Sequence, residues 1–432
     1  MSNENRPVEW SYNTNIYEVN LRQYTQEGSF QAFERELPRL RDMGIEVLWF
    51  MPVTPISKEK RLGVLGSYYA CSDYTSTNPE YGSMDDFKQL VQTAHNLGFK
   101  VLIDWVANHT GWDHWWTREH PDYYKKNWEG NFYDPNGWED VIDLNYDNPA
   151  VRQAMIEAMR FWITECDIDG FRCDMAMLVP LDFWRTARQE LDKVKKLFWL
   201  AECEEVSYHD VFDATYSWNF LHKMEAFWRG ETNIGGLDEV LNFYSNGFPP
   251  NAFHLLFTTN HDENSHSGSE YERMGKAAEA FAVLCCTWNG IPLIYSGQEL
   301  PNTKRLRFFE KDPIEWTGTY ALHDFYKRLL SLRKTNKALQ AGERSKTVRL
   351  KTAADQFVFA YLRESEGDEV LIVLNLSGEE RPFFEIGDER LTGSFVNIIS
   401  ENESNFTGKK YFALRPWEYL VYAKDTSLVP AV

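Results

Sequence analysis

Carboxylates, an arginine and two histidines fall at the ends of short apolar runs in this chain, where a side chain is held rigidly and one side of it stays open. The runs end Asp104-Trp-Val-Ala-Asn108-His109, Arg172-Cys-Asp174, Ala201-Glu202-Cys203 and Asn260-His261-Asp262. Each residue has an ordinary explanation on its own. An Asp at a strand end caps the next helix, a single His is more often structural than catalytic, and an Arg can simply neutralise a buried carboxylate. Together they resist that account, because gathering several like charges is costly unless a site uses them. Paired carboxylates suit glycoside hydrolysis. One stays protonated to donate to the departing oxygen; the other is ionised to attack or to stabilise an oxocarbenium-like transition state. Arg172 stands two residues before Asp174, so on a strand both share a face, and the guanidinium favours an ionised Asp174, as a nucleophile needs. Glu202, flanked by Leu200 and Ala201, is better placed to stay protonated as the acid. Asp262 gives a third carboxylate to bind sugar hydroxyls and help polarise the reaction.

The elements that must position these groups alternate between strand and helix. Strand patterns read Ile16–Leu21, Val47–Val53, Val101–Val106, Gly170–Met175, Phe198–Cys203, Leu255–Thr259 and Pro292–Tyr295, with a weak one near Thr215–Phe220. Amphipathic helical stretches such as Phe30–Met43, Asp85–Leu97, Ala150–Glu165 and Leu181–Lys195 lie between them. Alternation means βαβ units and a parallel sheet. Eight units, several with strands apolar throughout, predict a closed (β/α)8 TIM barrel, whose reactive groups sit at the C-terminal strand ends. An open doubly wound sheet would normally carry a Gly-rich phosphate loop after its first strand, and none is present. The barrel is expected over residues 1–109 and 146–336. A short insertion, 110–145, follows strand three; it has no clear period and crowds Trp112, Trp115, Trp116, Tyr123, Tyr124, Trp128, Phe132, Tyr133 and Trp138. These are expected chiefly to pack a small core of their own, with one or two left as a stacking platform for sugar rings. From 337 to 432 the pattern changes to short strands (Phe357–Leu362, Val370–Leu376, Pro382–Ile386, Ser394–Ile399, Tyr419–Tyr422) parted by turn residues, which predicts a C-terminal antiparallel β-sandwich domain.

Composition narrows the partners. The 432 residues carry a net charge of −20, which repels polyphosphate, so neither nucleic acid nor an anionic membrane surface is an expected partner. No apolar run approaches the roughly 20 residues of a membrane span. The N-terminus, Met-Ser-Asn-Glu-Asn-Arg-Pro, lacks the basic-then-apolar pattern of a signal peptide. The six cysteines form no CxxC pair, and several sit in apolar runs. A reduced, cytoplasmic protein is the expectation.

Taken in order, Asp104–His109, Gly170-Phe-Arg172-Cys-Asp174, Ala201-Glu202 and Asn260-His261-Asp262 resemble the four short conserved regions of the α-amylase family of glycoside hydrolases. Gly66-Ser-Tyr-Tyr69 through Asp73-Tyr74 resembles that family's segment bearing a stacking tyrosine. The resemblance extends over the whole chain. It implies Asp174 as nucleophile, Glu202 as acid/base and Asp262 as transition-state stabiliser, with Arg172 orienting Asp174. His109 and His261 would bind hydroxyls of one sugar, Tyr69 would stack beneath it, and Asp104 would be an anchor at the site's edge. Retention of configuration at α-1,4-glucosidic bonds of glucans or maltooligosaccharides would follow, by double displacement.

Departures bear on the details. Many α-amylases have Lys-His three and four residues after the nucleophile; Met177 and Leu178 stand there instead. Asn108 resembles a calcium ligand of the family, yet the insertion that would supply the others is short, so no cofactor or metal is expected to be required. Asp143-Leu144-Asn145 ends like the motif of α-1,6-cleaving glucosidases, but Val141-Ile142 before it does not, and Met175 after the nucleophile fits neither linkage group. An α-glucosidase, a cyclomaltodextrinase or neopullulanase-like enzyme, and a glucan transferase would use the same residues and stay open. A catalytically dead binding module would lack at least one of the three carboxylates, and all are present.

Overall fold

The computed structural model describes residues 7–408 and 410–424. The polar N-terminal stretch read for a leader lies, but for Pro7, outside the described residues. Eight parallel strands close into a barrel: β1 (Ile16–Val19), β2 (Val47–Phe50), β3 (Lys100–Trp105), β6 (Gly170–Cys173), β7 (Phe198–Ala201), β8 (Ala214–Tyr216), β9 (Phe253–Leu256) and β10 (Ile291–Tyr295). The two numbers skipped are β4 (His109–Gly111) and β5 (Val141–Asp143), an antiparallel pair at the base of the insertion. Barrel strands are walled by side chains inside and by helices outside, which is why they read as unbroken apolar runs. Gly170 is needed where β6 meets β7: a Cβ there would lie 2.1 Å from the Phe198 carbonyl oxygen.

Local chemistry sets the helix ends. Ser83 and Asp86 form a reciprocal capping box on Met84–Asn96. Asn148 caps Pro149–Cys166, with Pro149 as first helical residue. The stretch expected as one helix over 30–43 is two, Phe30–Glu34 and Leu37–Met43. Pro38 has no N–H to give the Glu34 carbonyl, so the helical bonding breaks there. The weak strand expected over 215–220 is shorter, Ala214–Tyr216, and Trp218 already opens a helix that runs to Trp228.

The insertion differs from expectation in its packing. Trp116, Tyr123 and Tyr124 are buried in the barrel's own cluster rather than in a separate core, while Trp128 is 91% exposed. The segment is tied down at its base, where β4 and β5, each three residues long, pair and the Gly111 N–H donates to the Cys71 carbonyl at 2.8 Å. Gly111 permits this approach, since a Cβ on it would stand 2.2 Å from that of Ser57.

Beyond the last barrel helix, His323–Thr335, come β11 (Lys346–Leu350), β12 (Val358–Ser365), β13 (Asp368–Asn375), β14 (Arg381–Glu385), β15 (Ser394–Asn397), β16 (Glu403–Asn405), β17 (Tyr411–Leu414) and β18 (Tyr419–Lys424). A six-stranded sheet in the order β11-β12-β13-β18-β15-β16 faces the β14–β17 pair across a core including Leu350, Val358, Leu371, Phe384 and Phe412. Alternation on β12 builds both boundaries. Val358, Ala360 and Leu362 enter the sandwich, whereas Phe359 and Tyr361 turn into the barrel's cluster.

Candidate active site

The C-terminal ends of the barrel strands bring the expected residues together. Asp174 follows β6, Glu202 follows β7 and Asp262 follows β9; all three line one cleft of about 320 Å3, with Tyr69 and His109. That volume is within the range of small-ligand sites. Asp104, Arg172 and His261 stand behind the wall, almost wholly buried.

Arg172 is the hub. Its Nη1 donates to Asp104 Oδ1 and Asp174 Oδ1, each at 2.9 Å, and its Nε to the Tyr216 hydroxyl at 3.1 Å. Nη2 lies 2.9 Å from Glu202 Oε2 as an ion-pair contact without hydrogen-bond alignment. Asp104 is thus beneath the centre of the site, not at its edge: the Trp49 indole and the Tyr69 hydroxyl both donate to its Oδ2, at 3.2 and 3.1 Å. Tyr69 is fixed further by its hydroxyl, 2.7 Å from His261 Nε2, and its ring lies parallel to that of Phe308.

The backbone between the two carboxylates carries strain. Met175 adopts φ of 40°, unusual for a residue with a side chain. In that conformation its N–H donates to Glu202 Oε2 at 2.9 Å, so the residue after Asp174 fixes the carboxyl on the next strand.

Electrostatics separate the carboxyls. Burial pushes Glu202 up to about 7, against the attraction of Arg172, which favours its ionised form. Burial also raises Asp174, to about 6, with Arg172 again opposing. The guanidinium favours the ionised form of Asp174, as its place on the strand implies, but it is shared among three carboxylates and offsets only part of the desolvation. Asp262 goes the other way, down to about 2, since His261 overrides its burial.

Sequence reasoning missed several cleft residues. Asp140 comes from the insertion, and His266, Phe308 and Phe309 from the segments after β9 and β10, whereas Trp138, also in the cleft lining, belongs to the insertion's aromatic cluster from which a stacking platform was expected. The Trp138 and His109 rings meet steeply inclined, at 66°, with centroids 5.4 Å apart. These lie on irregular backbone with no periodicity to mark them; the Phe308-Phe309 pair in a polar stretch was the one compositional signal. Glu18, buried on β1 and 2.5 Å from His261 Nδ1, was also missed.

Asn108, the one residue that resembles a calcium ligand, is already committed to other partners. The Asn108 amide donates to Asp143 Oδ1 at 3.1 Å, and the Lys125 ammonium sits 2.9 Å from Asp143 Oδ2. A carboxylate already paired with an ammonium, beside an amide turned as donor, does not fit a divalent cation. Among the described residues no group of three or more His, Cys, Asp or Glu could hold a metal.

The family profile described as "Alpha amylase, catalytic domain" matches residues 12–141 and 122–316, most of the chain. The chain belongs to the α-amylase family. Over 423 residues it is 28% identical to α-amylase MalA of Haloarcula japonica, covering 92% of this chain and 61% of that protein, so it spans less than two thirds of that relative. It is 26% identical to α-amylase 3 of Dictyoglomus thermophilum, over 87% of each chain. The crystal structure of a noncanonic maltogenic α-amylase, AmyB from Thermotoga neapolitana, superposes with a TM-score of 0.88 at 28% identity, covering 96% of this chain and 99% of that one. Barrel and C-terminal sandwich therefore both fall within the shared architecture.

Proposed function

We propose that this member of the family is a retaining glycoside hydrolase that cleaves α-1,4-glucosidic bonds of starch- or glycogen-type glucans or maltooligosaccharides. The observation that carries the reading is the convergence of Asp174, Glu202 and Asp262 on one cleft that Tyr69 and His109 also line, with burial raising Glu202 and His261 holding Asp262 low against its own burial. Asp174, ionised, attacks the anomeric carbon while Glu202 gives its proton to the departing oxygen. The resulting glycosyl ester is then hydrolysed by a water that Glu202, now ionised, deprotonates. Asp262 holds hydroxyls of the reacting sugar, and Tyr69 supplies the apolar face on which its ring stacks.

Reducing-end-labelled maltoheptaose, with pullulan and panose run in parallel, tests this. Early appearance of intermediate labelled products, with pullulan untouched, is expected. Glucose as sole product, or cleavage of the α-1,6 bond of panose, would move the assignment to an α-glucosidase or a neopullulanase-like enzyme. Products longer than the substrate would make it a transferase.

Two companion readings belong to the proposal. Catalysis requires no calcium, because Lys125 already meets Asp143; dialysis against EDTA is expected to leave maltoheptaose turnover within about twofold, since no ligand-derived stability is removed. The six cysteines are all free and buried, which supports a reducing cytoplasmic setting. No helix among the described residues is long and apolar enough to cross a membrane.

A further inference from the structure

Glu18 has no part in the double displacement, yet it is a fully buried carboxyl on a strand whose other residues are Ile16, Tyr17 and Val19. Such a group is costly in a barrel interior unless a cation meets it. Its Oε1 stands 2.5 Å from His261 Nδ1, and its Oε2 has no hydrogen-bond partner among the described residues. On the opposite edge of the ring, Nε2 lies 3.2 Å from Asp262 Oδ2 and 2.7 Å from the Tyr69 hydroxyl.

We propose that Glu18 is a positioning residue: it holds His261 as an imidazolium, and through that ring it keeps Asp262 aimed at the substrate's hydroxyls. A neutral imidazole has one N–H, so it could satisfy only one of the two carboxylates and would turn a lone pair on the other. With both nitrogens protonated, every donor finds an acceptor. Nδ1–H points to Glu18, Nε2–H points to the Tyr69 oxygen with Asp262 Oδ2 beside it as an ion-pair contact, and the Tyr69 hydroxyl donates to Asp104. Burial opposes charge on His261, but the Asp262 and Glu18 carboxylates override it and raise the ring well above its ordinary range. Of the groups on neighbouring elements, Asp104 on β3 also favours the cation. Arg172 on β6 and His266 after β9 compete with the ring for Asp262. The Tyr216 and Tyr295 hydroxyls flank Glu18 from β8 and β10.

The inference rests on Asp262 being the hydroxyl-holding carboxylate of a glycosidase. The test is Glu18→Gln in the full chain, which keeps the shape and an acceptor for Nδ1–H but removes the charge. Maltoheptaose kinetics are measured beside the imidazole 15N signals of His261, assigned by comparison with His261→Gln. In the wild type a doubly protonated ring is expected at slightly alkaline pH. In Glu18→Gln the ring should be neutral at that pH and kcat/KM should fall roughly 10- to 100-fold, as for loss of a hydrogen bond to a charged group. A neutral ring in the wild type overturns the proposal, as does a variant within about twofold of wild-type turnover. The wild-type ring signal decides the matter even if the variant fails to fold. A wild-type chain that leaves maltoheptaose intact would refute the proposed function alone, because the charge of the ring is read independently.

Discussion

Two sets of fully buried arginines in this molecule have surroundings that differ in kind. At the barrel rim, Arg172 is met by Asp104, Asp174 and Glu202, and those carboxylates more than offset its burial, raising it well above its ordinary range. At the seam between barrel and sandwich, Arg333 and Arg363 are equally buried but face backbone oxygens. Arg333 Nε donates to the Thr14 carbonyl at 2.7 Å, and Arg363 donates to those of Thr287 and Gln340, each at 2.8 Å. With no carboxylate beside them, burial lowers Arg333 to about 10 and Arg363 to about 9. A guanidinium among carbonyls joins pieces of chain. One among carboxylates tunes the groups around it, because each carboxyl's proton affinity then depends on a shared cation.

The widest gap between the two regions should open on Asp174→Asn, which is expected to cost on the order of 10^4-fold or more in kcat while far-UV circular dichroism stays unchanged. Retained turnover would remove Asp174 from the mechanism. Arg172→Met should come next, at roughly 10^2- to 10^3-fold in kcat/KM, comparable to loss of a preorganised electrostatic donor. Its pH profile sharpens the point. In the wild type, activity should rise through about 6 as Asp174 ionises and fall above about 7 as Glu202 loses its proton, the two limbs belonging to the coupled pair. Removing the cation makes ionisation of Asp174 harder, so the acid limb should move to higher pH; an unmoved limb would mean that Arg172 does not tune it.

Arg363→Met probes the seam. It strands the Thr287 and Gln340 carbonyls and is expected to lower stability by about 1–3 kcal/mol in urea unfolding. Maltoheptaose kcat/KM should not change; a loss of activity without a loss of stability would erase the distinction drawn between the two arginine environments. The smallest effect belongs at the seam's exposed edge, where Arg328 Nη1 lies 2.8 Å from Glu401 Oε1. Glu401→Gln should alter stability by less than about 1 kcal/mol, as for other solvated pairs. A larger value would show that the seam leans on its rim.

Much of this was legible in the amino-acid order. Strand alternation announced the barrel, and the residues closing those strands proved to be neighbours in space, because a barrel turns strand ends into a ring. The short-strand pattern after the last barrel helix marked the sandwich, whose two faces follow the period of two on β12. The insertion was less legible. Its tryptophans could be counted but not sorted, since which ring is buried depends on how β4 and β5 lay the segment against the rim. Trp116 and Trp128 differ there by tertiary contact alone.

The sequence by itself determined which side chains stand at the strand ends and, from the residue types, that acid–base chemistry on a glycosidic bond was the use for them. Only the tertiary structure decided their protonation. Arg172 and Asp174 are neighbours on one strand, so sequence reasoning paired them; Asp104, Glu202 and Tyr216 reach the same guanidinium from β3, the end of β7 and β8. Likewise Glu18 and His261 are far apart in the chain and 2.5 Å apart in space. A pattern along the chain gives each group its identity and its strand, but the energy of a buried charge is fixed by everything within a few ångströms of it, and most of that comes from elsewhere in the sequence.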